Sequence, residues 1–331
     1  MFVCFLNEEG EGVTEERLNA DVEDVIAKMP PDLADVSRKL WDRKKEEGPP
    51  VEKISKQQAD IIRLDFWSDD QRGGPNSLFR SALFPALNKQ TRRFLKHEHL
   101  FAVRGLEVVF TGEQFDQSDL DVYLEILNLA RKSPLGTPVR FSAHSMLKTL
   151  GRPTGGSHHK WLHSVLIRLR GGTLDITDHM KRYFGGLIEG GIKDETMESY
   201  EITINPKFAV LFGVGMWSKI DLQQRQSLGR NPTAKALHAY YSTHASPHGH
   251  DIKTLADIAG LKDKNPRKLK MKIVAAHDLL TSPEGLLSSY ELVGDIVRIK
   301  KNHSKSQMHH LVKKVATKPK KTRHSGNGST S

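Results

Sequence analysis

Cysteine is almost missing: Cys4 is the only one in 331 residues. A disulfide framework and any cysteine-rich zinc site are thereby excluded, and a reducing, cytoplasmic setting is expected. Long apolar runs are missing too, and none approaches the ~18 residues that a membrane helix needs. The opening Met1 to Leu6 has no basic flank and stops at Asn7-Glu8-Glu9, so no secretory signal is expected. Acidic side chains are absent from residues 296–331, which hold 10 basic ones.

What is present is basic charge, unevenly placed. The total is 50 Lys plus Arg against 40 Asp plus Glu, a formal net charge of +10. Residues 1–70 carry 10 basic and 18 acidic side chains, a net of −8, whereas residues 71–295 carry 30 and 22, a net of +8. This asymmetry points to a polyanion partner for the middle and the end of the chain. The plain alternative is a basic surface that only maintains solubility.

The length suits two ordinary domains plus tails. Residues 1–76 read as an acidic mobile arm, punctuated by Pro30-Pro31 and Gly48-Pro49-Pro50, with too little apolar surface for its own core. Residues 304–331 read as a basic disordered tail. Between them one architectural phrase occurs twice, and it predicts domains at 77–215 and 216–303.

In the first copy Ser118 is the expected cap of a helix carrying Leu120, Tyr123, Leu124 and Leu127. An extended piece follows (Val139, Phe141), then a helix from Ser142 to Leu150 that stops at Gly151. Gly155-Gly156-Ser157 opens a third helix with Trp161, Leu162, Val165, Leu166 and Leu169. The alternating stretches Leu174/Ile176 and Tyr200/Ile202/Ile204 then stand in the place of a hairpin. In the second copy Asn231-Pro232 starts a helix through Leu237 and Tyr241, and a second helix spans Ile252 to Ala259. Asn265-Pro266 starts a third with Leu269, Ile273, Ala276 and Leu280, since Asn caps well and Pro suits the first helical position. Two strands, Leu286–Leu292 and Asp295–Lys300, meet at Gly294. Three helices followed by a hairpin is the winged form of helix-turn-helix, so the predicted class is α+β, with two tandem winged-helix domains.

A recognition helix buries one stripe and offers the opposite one to the major groove. In the second copy Lys264, Arg267, Lys268, Lys270 and Lys272 cluster at the start of the third helix. Arg pairs bidentately with guanine, and Lys contacts guanine or phosphate. In the first copy His159, Lys160, His163 and Arg170 are expected to face outward and to suit phosphate contacts better than base readout. The alternative in each case is a solvated helix face.

The run His244-Ala245-Ser246-Pro247-His248-Gly249-His250-Asp251 holds metal-ligand types beside Tyr240 and Tyr241. Its expected place is a loop between helices, where ligands lack fixed geometry. No paired-carboxylate, Ser/His/Asp or Cys/His arrangement stands out. Neither Gly185-Gly186 nor Gly190-Gly191 is followed by Lys-Ser/Thr, as a phosphate loop requires. No catalytic site, metal or cofactor is therefore expected.

The runs Arg80-Ser81-Ala82-Leu83-Phe84, Val109-Phe110-Thr111-Gly112 and Ala209-Val210-Leu211-Phe212-Gly213 resemble the TrfA-type plasmid replication initiators. So do Asn231-Pro232-Thr233-Ala234-Lys235 and Ala239-Tyr240-Tyr241-Ser242-Thr243-His244, all in colinear order. The resemblance implies two winged-helix domains and binding to direct repeats (iterons) in double-stranded plasmid origin DNA. It further implies melting of adjacent DNA, contact with single-stranded origin DNA, and recruitment of the host initiator DnaA and the replicative helicase. A monomer active at the origin and a dimer restraining copy number are implied as well. The family also carries a peptide for the sliding clamp, and the corresponding place reads Ile61-Ile62-Arg63-Leu64-Asp65-Phe66-Trp67. Leu64 and Phe66 match its Leu-x-Phe end, without the leading Gln; the alternative is that these apolars belong to an ordinary helix or pack on the first domain. The expected protein is thus a plasmid replication initiator in the cytoplasm, associated with its plasmid and the nucleoid. The alternatives are a winged-helix transcriptional repressor and a metal-dependent DNA nickase.

Overall fold

Buried apolar side chains sort into two cores in the computed structural model, which describes residues 63–64, 67–87, 92–282 and 284–302 and a few short pieces before residue 40. The chain divides into two units, 1–60 and 61–331. In the first, Phe5–Leu6 (β1) pairs antiparallel with Gly12–Val13 (β2). Most of the predicted acidic arm, and the predicted tail at 304–331, lie outside the described residues.

The end of that arm is structured, which corrects its predicted boundary at 76. Gln71–Pro75 (β3) pairs antiparallel with the later strand Trp217–Asp221 (β11) and runs into a short helix, Asn76–Phe79 (α1). Trp67 is 4% exposed, lies beside Trp217 at 5.9 Å, and donates from its indole N–H to Asn128 at 3.2 Å. An acidic residue count does not reveal that one tryptophan anchors the segment.

Further elements around the first core are Phe94–Leu100 (β4), Leu106–Glu113 (β5), Gln117–Ala130 (α2), Val139–Ser142 (β6), Ala143–Thr149 (α3) and Gly156–Gly171 (α4). Four more strands follow, Thr173–Asp178 (β7), Lys181–Gly185 (β8), Ile188–Asp194 (β9) and Ser199–Ile204 (β10). They build two antiparallel sheets, with orders β4-β5-β7-β8 and β6-β10-β9. The alternating stretches predicted to form one hairpin therefore separate. Leu174 and Ile176 pair with β5, whereas Tyr200 and Ile202 pair with Phe141 and Val139 of β6. Alternation shows that a strand has one buried face but not which strand lies beside it.

The start of α2 needs a second correction. Its cap is Asp116, whose carboxylate accepts from the backbone of Ser118 (2.7 Å) and Asp119 (3.0 Å), while Asp119 accepts from the Asp116 backbone at 2.9 Å. This reciprocal box contributes about 1 kcal/mol. Asp119 is fully buried and is neutralised by Arg92 and by a two-pronged contact from Arg168, at 2.9 Å on each oxygen.

The remaining elements are Leu222–Ser227 (α5), Pro232–Ser242 (α6), His250–Asp251 (β12), Ile252–Ile258 (α7), Pro266–Leu280 (α8), Leu287–Val293 (β13) and Ile296–Lys301 (β14). Asn231, Asp251 and Asn265 cap α6, α7 and α8 through their side chains. Leu237, Tyr241, Leu255, Ile273, Ala276, Leu280 and Leu287 fill the second core. The larger of these each stabilise it by about 1.5–3 kcal/mol. The sheet order is β12-β14-β13, so the strand before the short helix pairs with the last strand, as β6 does with β10. The class is mixed helix and antiparallel sheet.

Candidate nucleic-acid interface

Helix α8 is anchored on one side and open on the other. Ile273, Ala276, His277 and Leu280 are buried, and Leu269 is half-buried. The ring of His277 is held between the Tyr241 hydroxyl (2.9 Å) and the Ile273 carbonyl (2.7 Å), and burial pushes its pKa down, which keeps it neutral. With that face fixed, the sequence spacing turns Arg267, Lys268, Met271 and Lys272 into solvent, with Lys264 just ahead of the helix. Arg267 and Lys268 make no side-chain ion pair among the described residues. Lys272 lies 3.3 Å from Asp263, a surface contact that a phosphate can replace.

Lys270 is directed elsewhere. Its ammonium reaches Asp295 at 3.1 Å and the Gly294 carbonyl at 3.2 Å, so it ties α8 to the β13–β14 turn. That hairpin adds two cations missed from the sequence, Arg298 and Lys300, both exposed on β14. Their signal is the alternation Arg298-Ile299-Lys300-Lys301. In it Lys301 turns inward to donate to the carbonyls of Tyr241 and His244, each at 2.8 Å, and burial lowers its pKa to about 8.

On α4, Lys160, His163 and Arg170 are exposed as expected, with the His163 ring stacked on Tyr200. His159 is not on that face. Its side chain is 17% exposed and pairs with Glu198 at 2.8 Å, in the turn between β9 and β10. The outer face of α4 is therefore less basic than that of α8, and Ile167 (60% exposed) sits within it.

Residues 49–301 match the family model described as TrfA protein. The chain belongs to the TrfA family. It is 24% identical over 261 residues to the plasmid replication initiator protein TrfA of Escherichia coli, covering 76% of this chain and 67% of that one. Crystal structures of domains 2 and 3 of RctB are similar at TM-scores of 0.48 and 0.43, each with 12% identity over 69% of this chain. They cover 99% and 97% of the RctB chains.

The histidine run of this TrfA-family chain is more ordered than a loop. His250 and Asp251 form β12, and His250 Nε2 lies 3.0 Å from the Tyr240 hydroxyl. His244 Nδ1 lies 2.8 Å from the Thr243 hydroxyl, and burial lowers its pKa to about 4. Asp251 caps α7, and His248 alone of the three histidines is exposed. Among the described residues no group of three or more His, Cys, Asp or Glu side chains could hold a metal ion. No described helix is long and apolar enough to cross a membrane. Of the candidate clamp residues, Leu64 is 1% exposed within the first core, so docking on another protein would require that segment to open. Phe66 lies outside the described residues.

Proposed function

We propose that this chain initiates plasmid replication. Two tandem winged-helix modules bind direct repeats at the origin, promote melting of the adjacent DNA and bring in the host initiator DnaA and the replicative helicase. The family membership and the repeated order helix, strand, short helix, helix, hairpin support this reading. The observation that carries it is the exposed basic start of α8, Lys264 to Lys272, on a helix whose other face is locked in a core. In this reading the second module supplies base readout, and the first supplies phosphate contacts and self-association between monomer and dimer. Contact with single-stranded origin DNA and with the sliding clamp rests on the family resemblance alone.

Replacing Arg267 with Ala is expected to cost ~1–3 kcal/mol on the cognate repeat and to relax preference at one base position. Lys160→Ala should weaken cognate and random DNA alike. Competition with single-base variants checks both, and equal losses on both DNAs for Arg267→Ala would sink the readout assignment.

We assign no catalytic step to the chain. Tyr240 and Tyr241, the nucleophiles a nickase would need, are 2% and 0% exposed. Burial pushes both hydroxyls up, away from the phenolate form. On supercoiled origin plasmid the expected result is local melting beside the repeats, with no nicked circles in magnesium or manganese. Binding without opening would favour the repressor, and nicking lost in Tyr240→Phe would restore the enzyme.

A further inference from the structure

Two segments that carry the family resemblance meet across the two cores. Arg80, at the head of Arg80–Phe84, donates from Nε to the Thr243 hydroxyl (2.9 Å) and from its terminal nitrogen to the Thr243 carbonyl (2.8 Å). Thr243 is the next-to-last residue of the second segment, just beyond α6. Phe84 lies in the first core, Tyr240 and Tyr241 in the second.

Two more contacts cross the same boundary. The Ala86 backbone N–H donates to the Ala259 carbonyl at 2.7 Å. The next residue, Gly260, packs so closely on Pro85 that an added Cβ would lie 2.3 Å from the proline Cβ. Its φ of +64° also favours glycine, so nothing larger fits without separating the two parts. On α2, Asp121 binds Arg225 of α5 (2.5 Å) and Lys235 of α6 (2.7 Å), and Arg225 also bonds Gln117 at 2.9 Å. Arg225 is 3% exposed.

A single contact would act as a hinge. Three contacts at different elements leave no free rotation, and α2 packs with α4 as α6 packs with α8. The geometry points to a joint that sets the separation of the DNA segments read by α4 and α8, so that two half-sites are accepted at one spacing only. Arg80, Thr243 and Gly260 are then positioning residues that touch no base. The inference rests on the DNA-binding reading above. One extra base pair moves the second half-site ~3.4 Å along the duplex and ~34° around it. Hydrogen bonds confined to 2.7–3.2 Å cannot follow that shift across a stiff joint.

The test is selection of duplexes from a randomised pool with the full chain, followed by insertion of one base pair between the enriched blocks. Two blocks at a single spacing are expected, with an insertion penalty of about 100-fold in affinity, comparable to one or two mismatches. Arg80→Met, alone and combined with Gly260→Ala, should cut that penalty to less than about tenfold. Binding to the uninterrupted site should fall only several-fold. Arg80→Met removes only a partly buried side-chain contact, so it keeps the test usable if the double variant fails to fold. A purely structural role would weaken both sites equally. Blocks at several spacings, a single block, or an insertion penalty unchanged in a folded double variant would overturn the joint. No enrichment at all would instead remove the DNA-binding reading beneath it.

Discussion

Raising salt from 50 to 200 mM is expected to weaken DNA binding by ~10³-fold. Each phosphate neutralised by Lys or Arg releases condensed counterions, and the affinity then falls with a log–log slope of about −0.9 per contact. Lys264, Arg267, Lys268 and Lys272 around the start of α8, with Arg298 and Lys300 on the adjoining hairpin, are six exposed cations. Lys160 and Arg170 on α4 can only steepen the slope. Fluorescence anisotropy of a labelled repeat at four or five salt concentrations measures it directly. A change below tenfold would mean that these faces do not meet phosphate. Replacing Lys268 should flatten the slope by about one unit, whereas replacing Lys270, occupied with the hairpin turn, should not.

Asp121→Asn is expected to destabilise the unit 61–331 by about 3–5 kcal/mol. The carboxylate is 16% exposed and holds two cations, Arg225 and Lys235, of which Arg225 is almost wholly inaccessible. Asn keeps the shape and removes the charge, leaving the almost inaccessible Arg225 and the mostly buried Lys235 without their anion. The pH dependence has a definite sign. Burial alone would raise the Asp121 pKa, but Arg225 and Lys235 outweigh it and hold the carboxyl below its ordinary range. Its contribution is therefore fully present above pH ~4 and is lost as pH falls through the depressed folded-state value. Urea unfolding at pH 7 should separate the two proteins widely, and the gap should close under strong acid. A loss below ~1 kcal/mol at pH 7 would show that the buried pair is dispensable.

The readable and unreadable parts of this protein divide along a physical line. Asn231-Pro232 and Asn265-Pro266 marked the starts of α6 and α8 because capping is satisfied within three residues of the same chain. Gly294 marked the hairpin turn for the same reason, with φ at +64°. The buried stripe of α8 followed from helical spacing, and so did the outward placement of Arg267 and Lys268. Where a competing local group lay two residues away the reading slipped, as with Asp116 in place of Ser118 at the start of α2.

The other misplaced features depended on a distant partner. His159 was predicted to face outward and is drawn in by Glu198, on a turn that the spacing of α4 does not mention. Lys270 was grouped with its basic neighbours and is committed to Asp295 across the hairpin. Leu64 had two readings, half of a docking peptide or packing on the first domain, and it fills the first core. The strand β5 pairs with β7 across more than sixty residues of sequence. Residue order alone thus determined where helices begin and end and where positive charge accumulates, since caps, turns and helical spacing act within a few residues. Only the tertiary structure decided which strands share a sheet, which cations stay open to solvent, and that Arg80, Gly260 and Asp121 clamp the two cores together. Those outcomes depend on which surface covers which, and in this chain the covering surfaces are far apart in sequence.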